Sequence, residues 1–127
     1  MEELNYQKLI GRYLAAYNSF DIEGILALLA PHIRFENYSG DELTASTNGI
    51  DEFRQLAEKS KFLFSEREQR LTDLKISVNS ATATIAYRGK LAVDVPNGPA
   101  AGTVINLQGK SEYFFVGDKF SQIIDRG

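Results

Sequence analysis

The stretch Ala81–Val95, ATATIAYRGKLAVDV, constrains the fold more than any other part of this chain. Ala83, Ile85, Tyr87, Leu91, Val93 and Val95 are apolar or small, with polar residues between them. A period of two is the mark of a β-strand with two unlike faces. At about 3.3 Å per residue the strand would run roughly 50 Å, well beyond the ordinary length. A strand that long has to bend, and Gly89 in its middle is the natural place for a bulge. A bent strand makes a curved sheet, and a curved sheet leaves a hollow for helices to cover.

The N-terminal half supplies those helices. Between Glu3 and Phe20, residues Tyr6, Ile10, Tyr13, Tyr17 and Phe20 recur at steps of four and three, which places them on one helical stripe. Leu9, Leu14 and Ala16 widen it. Asp21 stands at an N-cap position before a second apolar run, Ile22 to Ala30, which Pro31 is expected to end. Ile33, Phe35 and Asn37 then alternate with His32, Arg34 and Glu36 as a short strand. The polar segment Tyr38 to Asn48 reads as a loop. Asn48-Gly49 opens a third helix, with Ile50, Phe53, Leu56, Ala57 and Phe64 on its apolar face.

Beyond a charged connection, Ser65 to Arg70, the pattern is all strand. Leu74, Ile76 and Val78 alternate with polar residues, and Asn79-Ser80 reads as a tight turn into the long strand. Val95 to Gly102 is a loop by its Pro and Gly punctuation. Thr103 to Val116 is a second long strand, and Gly117-Asp118 turns the chain into a closing strand, Lys119 to Asp125. Three helices followed by an antiparallel meander predict an α+β domain with its helices on one side of the sheet.

Composition narrows the function classes. A length of 127 residues suits a single domain spanning 1–127. A net charge of −3 and the lack of any Lys/Arg cluster argue against nucleic-acid binding. With no cysteine, disulfides, thiol catalysis and thiolate metal sites are excluded, and the expected setting is the cytoplasm. The sole histidine, His32, is assigned to the outer surface, so no tight metal site is expected. No apolar run reaches membrane-spanning length, and no signal peptide is read before the first helix.

The run YLAAYNSFDIEGILALLAPHIRFENYSG, Tyr13 to Gly40, resembles the opening of the nuclear transport factor 2-like superfamily. Within it the strongest likenesses are ketosteroid isomerases and SnoaL-like polyketide cyclases. NGIDEF at Asn48 to Phe53 is similar to that group's third-helix start, and GDKFSQIID to its final hairpin. The resemblance implies a cone (the cystatin-like arrangement) in which a strongly bent, antiparallel or mixed sheet wraps around three helices and a pocket opens at the wide end.

The resemblance also assigns site residues. Ketosteroid isomerases bind the substrate oxyanion with a first-helix tyrosine, which Tyr13 matches. Their basic aspartate is replaced here by Asn37, and an amide cannot take up a proton, so isomerase chemistry fails at its central step. Limonene-epoxide hydrolases give a second partial match. Asn37 falls on their water-holding asparagine, Arg88 on the bridging arginine and Asp125 on the basic aspartate, while Phe35 and Lys90 replace a tyrosine and an acid. The implied catalytic set is Asp125, Asn37, Arg88 and Tyr13, with Phe35, Tyr17 and Lys90 binding ligand. That set requires Arg88 and Lys90 to face inward.

Each of these residues also has an ordinary structural reading. Asp125 can end a strand in an ion pair with Lys90 or Arg88, Tyr13 and Tyr17 can be core aromatics, and Arg88 with Lys90 can lie on the solvent side of the sheet. The leading expectation is a pocket that binds, and turns over, a small hydrophobic molecule without a cofactor. The alternative is a non-catalytic dimerisation or protein-interaction domain. A homodimer formed through the open sheet face is expected in either case.

Overall fold

The computed structural model describes residues 2–127, with side chains from Leu4 onward. The first helix, α1 (Glu2–Asn18), carries the aromatic stripe on its buried side. Tyr6 stacks flat on Phe115, with ring centroids 4.0 Å apart. The helix ends where Phe20 takes a positive φ of 59° and the Asp21 N–H donates to the Ala16 carbonyl at 2.8 Å. Asp21 then caps α2 (Ile22–Leu26) by accepting from the Gly24 N–H at 2.9 Å.

Two strands separate this pair from α3 (Ile50–Leu63): β1 (Leu29–Ser39) and β2 (Glu42–Asn48). Gly49, at φ 87°, makes the entry to α3, while the Asn48 N–H donates to the Glu52 carboxylate at 2.9 Å. The remainder is β3 (Phe64–Ser77), β4 (Ser80–Leu91), β5 (Val104–Val116) and β6 (Lys119–Arg126). The six strands form one sheet in the order β2-β1-β6-β5-β4-β3. All neighbours are antiparallel except β1 and β6, which run parallel. The sheet is therefore mixed, and the helices pack inside its curl as an α+β cone. Ile10, Ile33, Tyr113, Phe120 and Ile123 are the largest fully buried side chains, so the core lies between α1 and the β1–β6–β5 half of the sheet.

Six local expectations need correction. The second helix stops at Leu26, not Ala30, because the next residues join the sheet: the Phe120 N–H donates to the Leu28 carbonyl at 2.9 Å. Pro31 lies inside β1, in the gap in β1–β6 pairing between Leu29 and Arg34 where no ladder donor is required. The presumed loop Tyr38 to Asn48 contains the edge strand β2, and the presumed connection Ser65 to Arg70 is the first half of β3. The long strand ends at Leu91, where the chain turns and the Ala92 N–H donates to the Leu63 carbonyl at 2.8 Å.

Gly89 is not a bulge. The irregularities fall on β3, between Phe64 and Glu66 and between Leu71 and Asp73. Gly89 instead makes room, because a Cβ there would sit 2.7 Å from the Phe64 ring. No helix among the described residues is long and apolar enough to cross a membrane.

Candidate functional site

Curling the sheet around the helices leaves a cavity of about 430 Å³. Its apolar wall includes Ile25, Phe35, Phe53, Leu56, Ile85 and Ile105. Phe35 and Phe53 meet edge to face with centroids 5.6 Å apart, which holds α3 against β1. Polar groups gather in two places on this wall.

The first centres on Asp125. In the antiparallel β5–β6 ladder Ser111 lies directly opposite Asp125, so both side chains project into the cavity from one face. The buried Ser111 hydroxyl donates to Asp125 Oδ1 at 2.7 Å. Burial raises the Asp125 carboxyl from 3.8 to about 6, against the opposing pull of the Ser111 hydrogen bond. On the other side, parallel β1 places Asn37 in register with Asp125. The Asn37 amide donates to the Thr44 hydroxyl at 2.7 Å, and that hydroxyl donates to the Asn37 carbonyl at 3.0 Å.

From above, α1 inserts Tyr13, packed against Tyr113 and Phe120 with centroids 6.2 and 5.4 Å away. Burial, and then the nearby charge of Asp125, pushes the Tyr13 phenol well above its ordinary value. It therefore stays a neutral donor throughout the physiological range. Among the described residues it has no hydrogen-bond acceptor. The Tyr113 hydroxyl is also buried; Ser111 lies near it, but no bond of normal geometry forms.

The second polar group lies three strands away, on β3. Arg67 is only 5 % exposed and lines the cavity. Its Nε donates to the Tyr17 carbonyl at 2.9 Å, near the C-terminal end of α1, and its guanidinium carbon lies 3.8 Å from the Tyr17 ring centroid and 4.4 Å from that of Phe20. Tyr17 and Tyr87 share a hydroxyl–hydroxyl bond of 3.2 Å, and Gln69 brings its amide close to Tyr17. Burial raises both phenols, so the pair stays protonated.

Of the residues singled out from sequence, Asp125, Asn37, Tyr13, Tyr17 and Phe35 converge on this cavity. Arg88 and Lys90 do not. Ala81, Ala83, Ile85, Gly89 and Leu91 are the buried members of β4, so the odd-numbered positions face inward and Arg88 is exposed on the outer face. Lys90 shares that outer register and is only partly covered. Neither borders the cavity, and the arginine-bridged arrangement of epoxide hydrolases is absent: Ser111, not Arg88, touches Asp125.

Arg67, Gln69, Ser111 and Tyr87 were not identified from sequence. Ser111 carried no such signal: counting back from the Gly117 turn sets Lys110 opposite Asp125, and only the register shift between Phe114 and Phe115 moves Ser111 into that place. The signal for Arg67 and Gln69 was their two-residue spacing from one another. Among the described residues, no group of three His, Cys, Asp or Glu side chains is placed to hold a metal ion.

The fold recurs in proteins of very different sequence. A Xanthomonas campestris pv. campestris protein assigned to the polyketide cyclases superposes with a TM-score of 0.82 at 15% identity, covering 98% of this chain and 90% of its own. TsrD from Streptomyces laurentii gives 0.80 at 22% identity, with 98% and 89% covered. TerC, co-crystallised with polyporic acid, gives 0.77 at 14% identity, with 95% and 89% covered. No curated protein matches in sequence. The profile of the SnoaL-like domain, however, matches residues 10–123, nearly the whole length over which helices and strands enclose the cavity. The chain belongs to the SnoaL-like domain family.

Proposed function

We propose that the cavity binds a small, largely apolar carbonyl compound and moves a proton on it, with Asp125 as acid–base and no cofactor. The observation that carries this reading is one ionisable carboxyl, tuned to about 6, on the wall of a mostly apolar cavity. A base works best when its pKa lies near the working pH, because it is then both ionised and able to return the proton.

The chemistry follows from the groups present. The Asp125 carboxylate removes a proton from a carbon next to a carbonyl, and the electron pair moves onto the carbonyl oxygen. Tyr13, neutral and close to Asp125, donates to the enolate oxygen that forms. Asp125 then returns its proton to carbon, or to oxygen after the enolate has attacked a second carbonyl and closed a ring. Family membership and the polyketide-cyclase neighbour favour a carbonyl-rich substrate of this kind. An open cavity with polar groups on its wall favours ligand chemistry over a purely interacting domain.

The test is deuterium exchange at the α-carbon of aromatic β-keto esters and cyclic ketones, followed by NMR. Exchange is expected to rise with pH through about 6 and to fall 10²- to 10⁴-fold in Asp125→Asn. Exchange unchanged in that variant would remove Asp125 from the mechanism.

A further inference from the structure

Arg67 has no role in the proton transfer just described, yet it is the most deeply buried charge that lines the cavity. Its surroundings account for only part of it. The Nε–H is satisfied by the Tyr17 carbonyl, and the flat faces of the guanidinium are covered by Tyr17 and Phe20. Among the described residues, no carboxylate lies within ion-pair distance and neither terminal amino group donates a hydrogen bond. A buried guanidinium without a counter-charge is costly, and an anion entering the cavity would supply the missing partner. Its planar fork suits the two oxygens of a carboxylate.

The Tyr17–Tyr87 pair adds a donor beside it. Tyr17 donates to Tyr87 in this bond, which leaves the Tyr87 O–H for another acceptor. That corner of the cavity thus offers two guanidinium amino groups and a phenolic O–H, with no acceptor charge to compete for them.

We propose that this corner is a carboxylate subsite, and that the ligand is an apolar, cyclic acid whose carboxylate is held by Arg67 and the Tyr17–Tyr87 pair. The inference rests on the reading of the cavity as a ligand site and adds the chemical class of that ligand. It also sets a length. Arg67 on β3 and Asp125 on β6 are separated by β4 and β5. At about 4.8 Å per strand step this is roughly 14 Å along the sheet, and less across the hollow of the curl. The anchored acid and the reacting carbon then lie at opposite ends of a small polycyclic molecule. Anchoring one end by a fixed ion pair is what would hold the other against the carboxyl of Asp125.

The probes are anthracene-2-carboxylic acid and its neutral carboxamide, matched in shape, with affinities measured by calorimetry at pH 7.5. Wild type is expected to prefer the acid at least tenfold. Arg67→Gln should bind both within about threefold of each other, at the affinity wild type shows for the amide. Arg67→Lys, which keeps the charge but loses the fork, should retain a weakened preference for the acid. Asp125→Asn should keep the full preference while losing α-carbon exchange, so failure of the acid–base reading and failure of the subsite are read on different measurements. Equal affinity of wild type for acid and amide, no binding of either, or an acid preference that survives in Arg67→Gln overturns the subsite. If Arg67→Gln does not fold, the wild-type and Arg67→Lys preferences decide the matter.

Discussion

Replacing Asp125 by asparagine is expected to stabilise the protein above neutral pH, the opposite of what most changes at a buried polar position do. In the unfolded chain this carboxyl ionises near 3.8, whereas in the folded chain it ionises near 6. Between those values the folded state holds a proton that the unfolded state has released. Stability therefore falls as pH rises from 3.8 through about 6, and the deficit stays constant above that. A full shift of that size corresponds to about 3 kcal/mol; the side chain keeps some surface toward the cavity, so about 2–3 kcal/mol is the working figure. Asparagine is nearly the same size, carries no charge at any pH, and its amide oxygen can still accept from Ser111.

For a chain of this length the gain corresponds to roughly 7–11 °C in Tm. The assay is urea or thermal unfolding of both proteins at pH 4 and pH 8, with mutant minus wild type as the quantity of interest. That difference should be near zero at pH 4 and reach its full value at pH 8. A difference that does not change with pH, or an asparagine variant less stable than wild type at pH 8, would refute the electrostatic account of Asp125. If the gain appears together with lost turnover, the carboxylate is kept for activity at the expense of stability.

Other substitutions probe the frame around the site. Gly109→Ala would put a Cβ into the Arg126 carbonyl oxygen, pushing the end of β6 outward; a loss of about 1–3 kcal/mol in chemical denaturation is expected, with a shifted Asp125 pKa by NMR titration. Tyr113→Phe removes a buried hydroxyl that makes no normal hydrogen bond, so stability should be unchanged or higher by up to about 1 kcal/mol, and a clear loss would show that Ser111 and Tyr113 interact. A homodimer through the outer sheet face, where Tyr38, Ile124 and Phe114 stand among charged residues, should double the mass seen by light scattering at tens of micromolar and revert to monomer in Phe114→Glu.

Where the chain alternates apolar residues, the fold is plain in the sequence. The buried face of β4, the Tyr6–Tyr17 stripe of α1 and the Gly117 turn all follow from periodicity. Where the inward positions are polar, the pattern disappears. The first half of β3 reads as a charged connection because the residues it turns inward are Arg67 and Gln69, part of the cavity's polar wall. The edge strand β2 is hidden differently, since nearly every side chain on it is exposed and no hydrophobic face marks it. The placing of Arg88 and Lys90 inside rested on a match to another enzyme's residues, and the β4 stripe of Ala83, Ile85 and Leu91 overrules it. Asn37 and Asp125 are legible as candidates but not as neighbours, because their adjacency depends on a parallel pairing between strands far apart in sequence.

That parallel pairing has a consequence for how the site comes into being. The β1–β6 ladder brings together strands from opposite ends of the sequence, and β6 is central in the sheet, between β1 and β5. During synthesis β1, β2 and all three helices emerge early, but β1 keeps one edge unpaired until every intervening residue has been made. Contacts so distant along the chain close slowly, because a long loop must be ordered before they form. Ser111 and Asp125 can meet across the local β5–β6 hairpin, but Asn37 comes beside Asp125 only when β6 docks on β1, so the walls that bury the carboxyl are complete only after that docking. A nascent or partly opened chain would show an ordinary carboxyl pKa and an exposed strand edge together. The ionisation of Asp125 is thus a spectroscopic reporter of sheet closure.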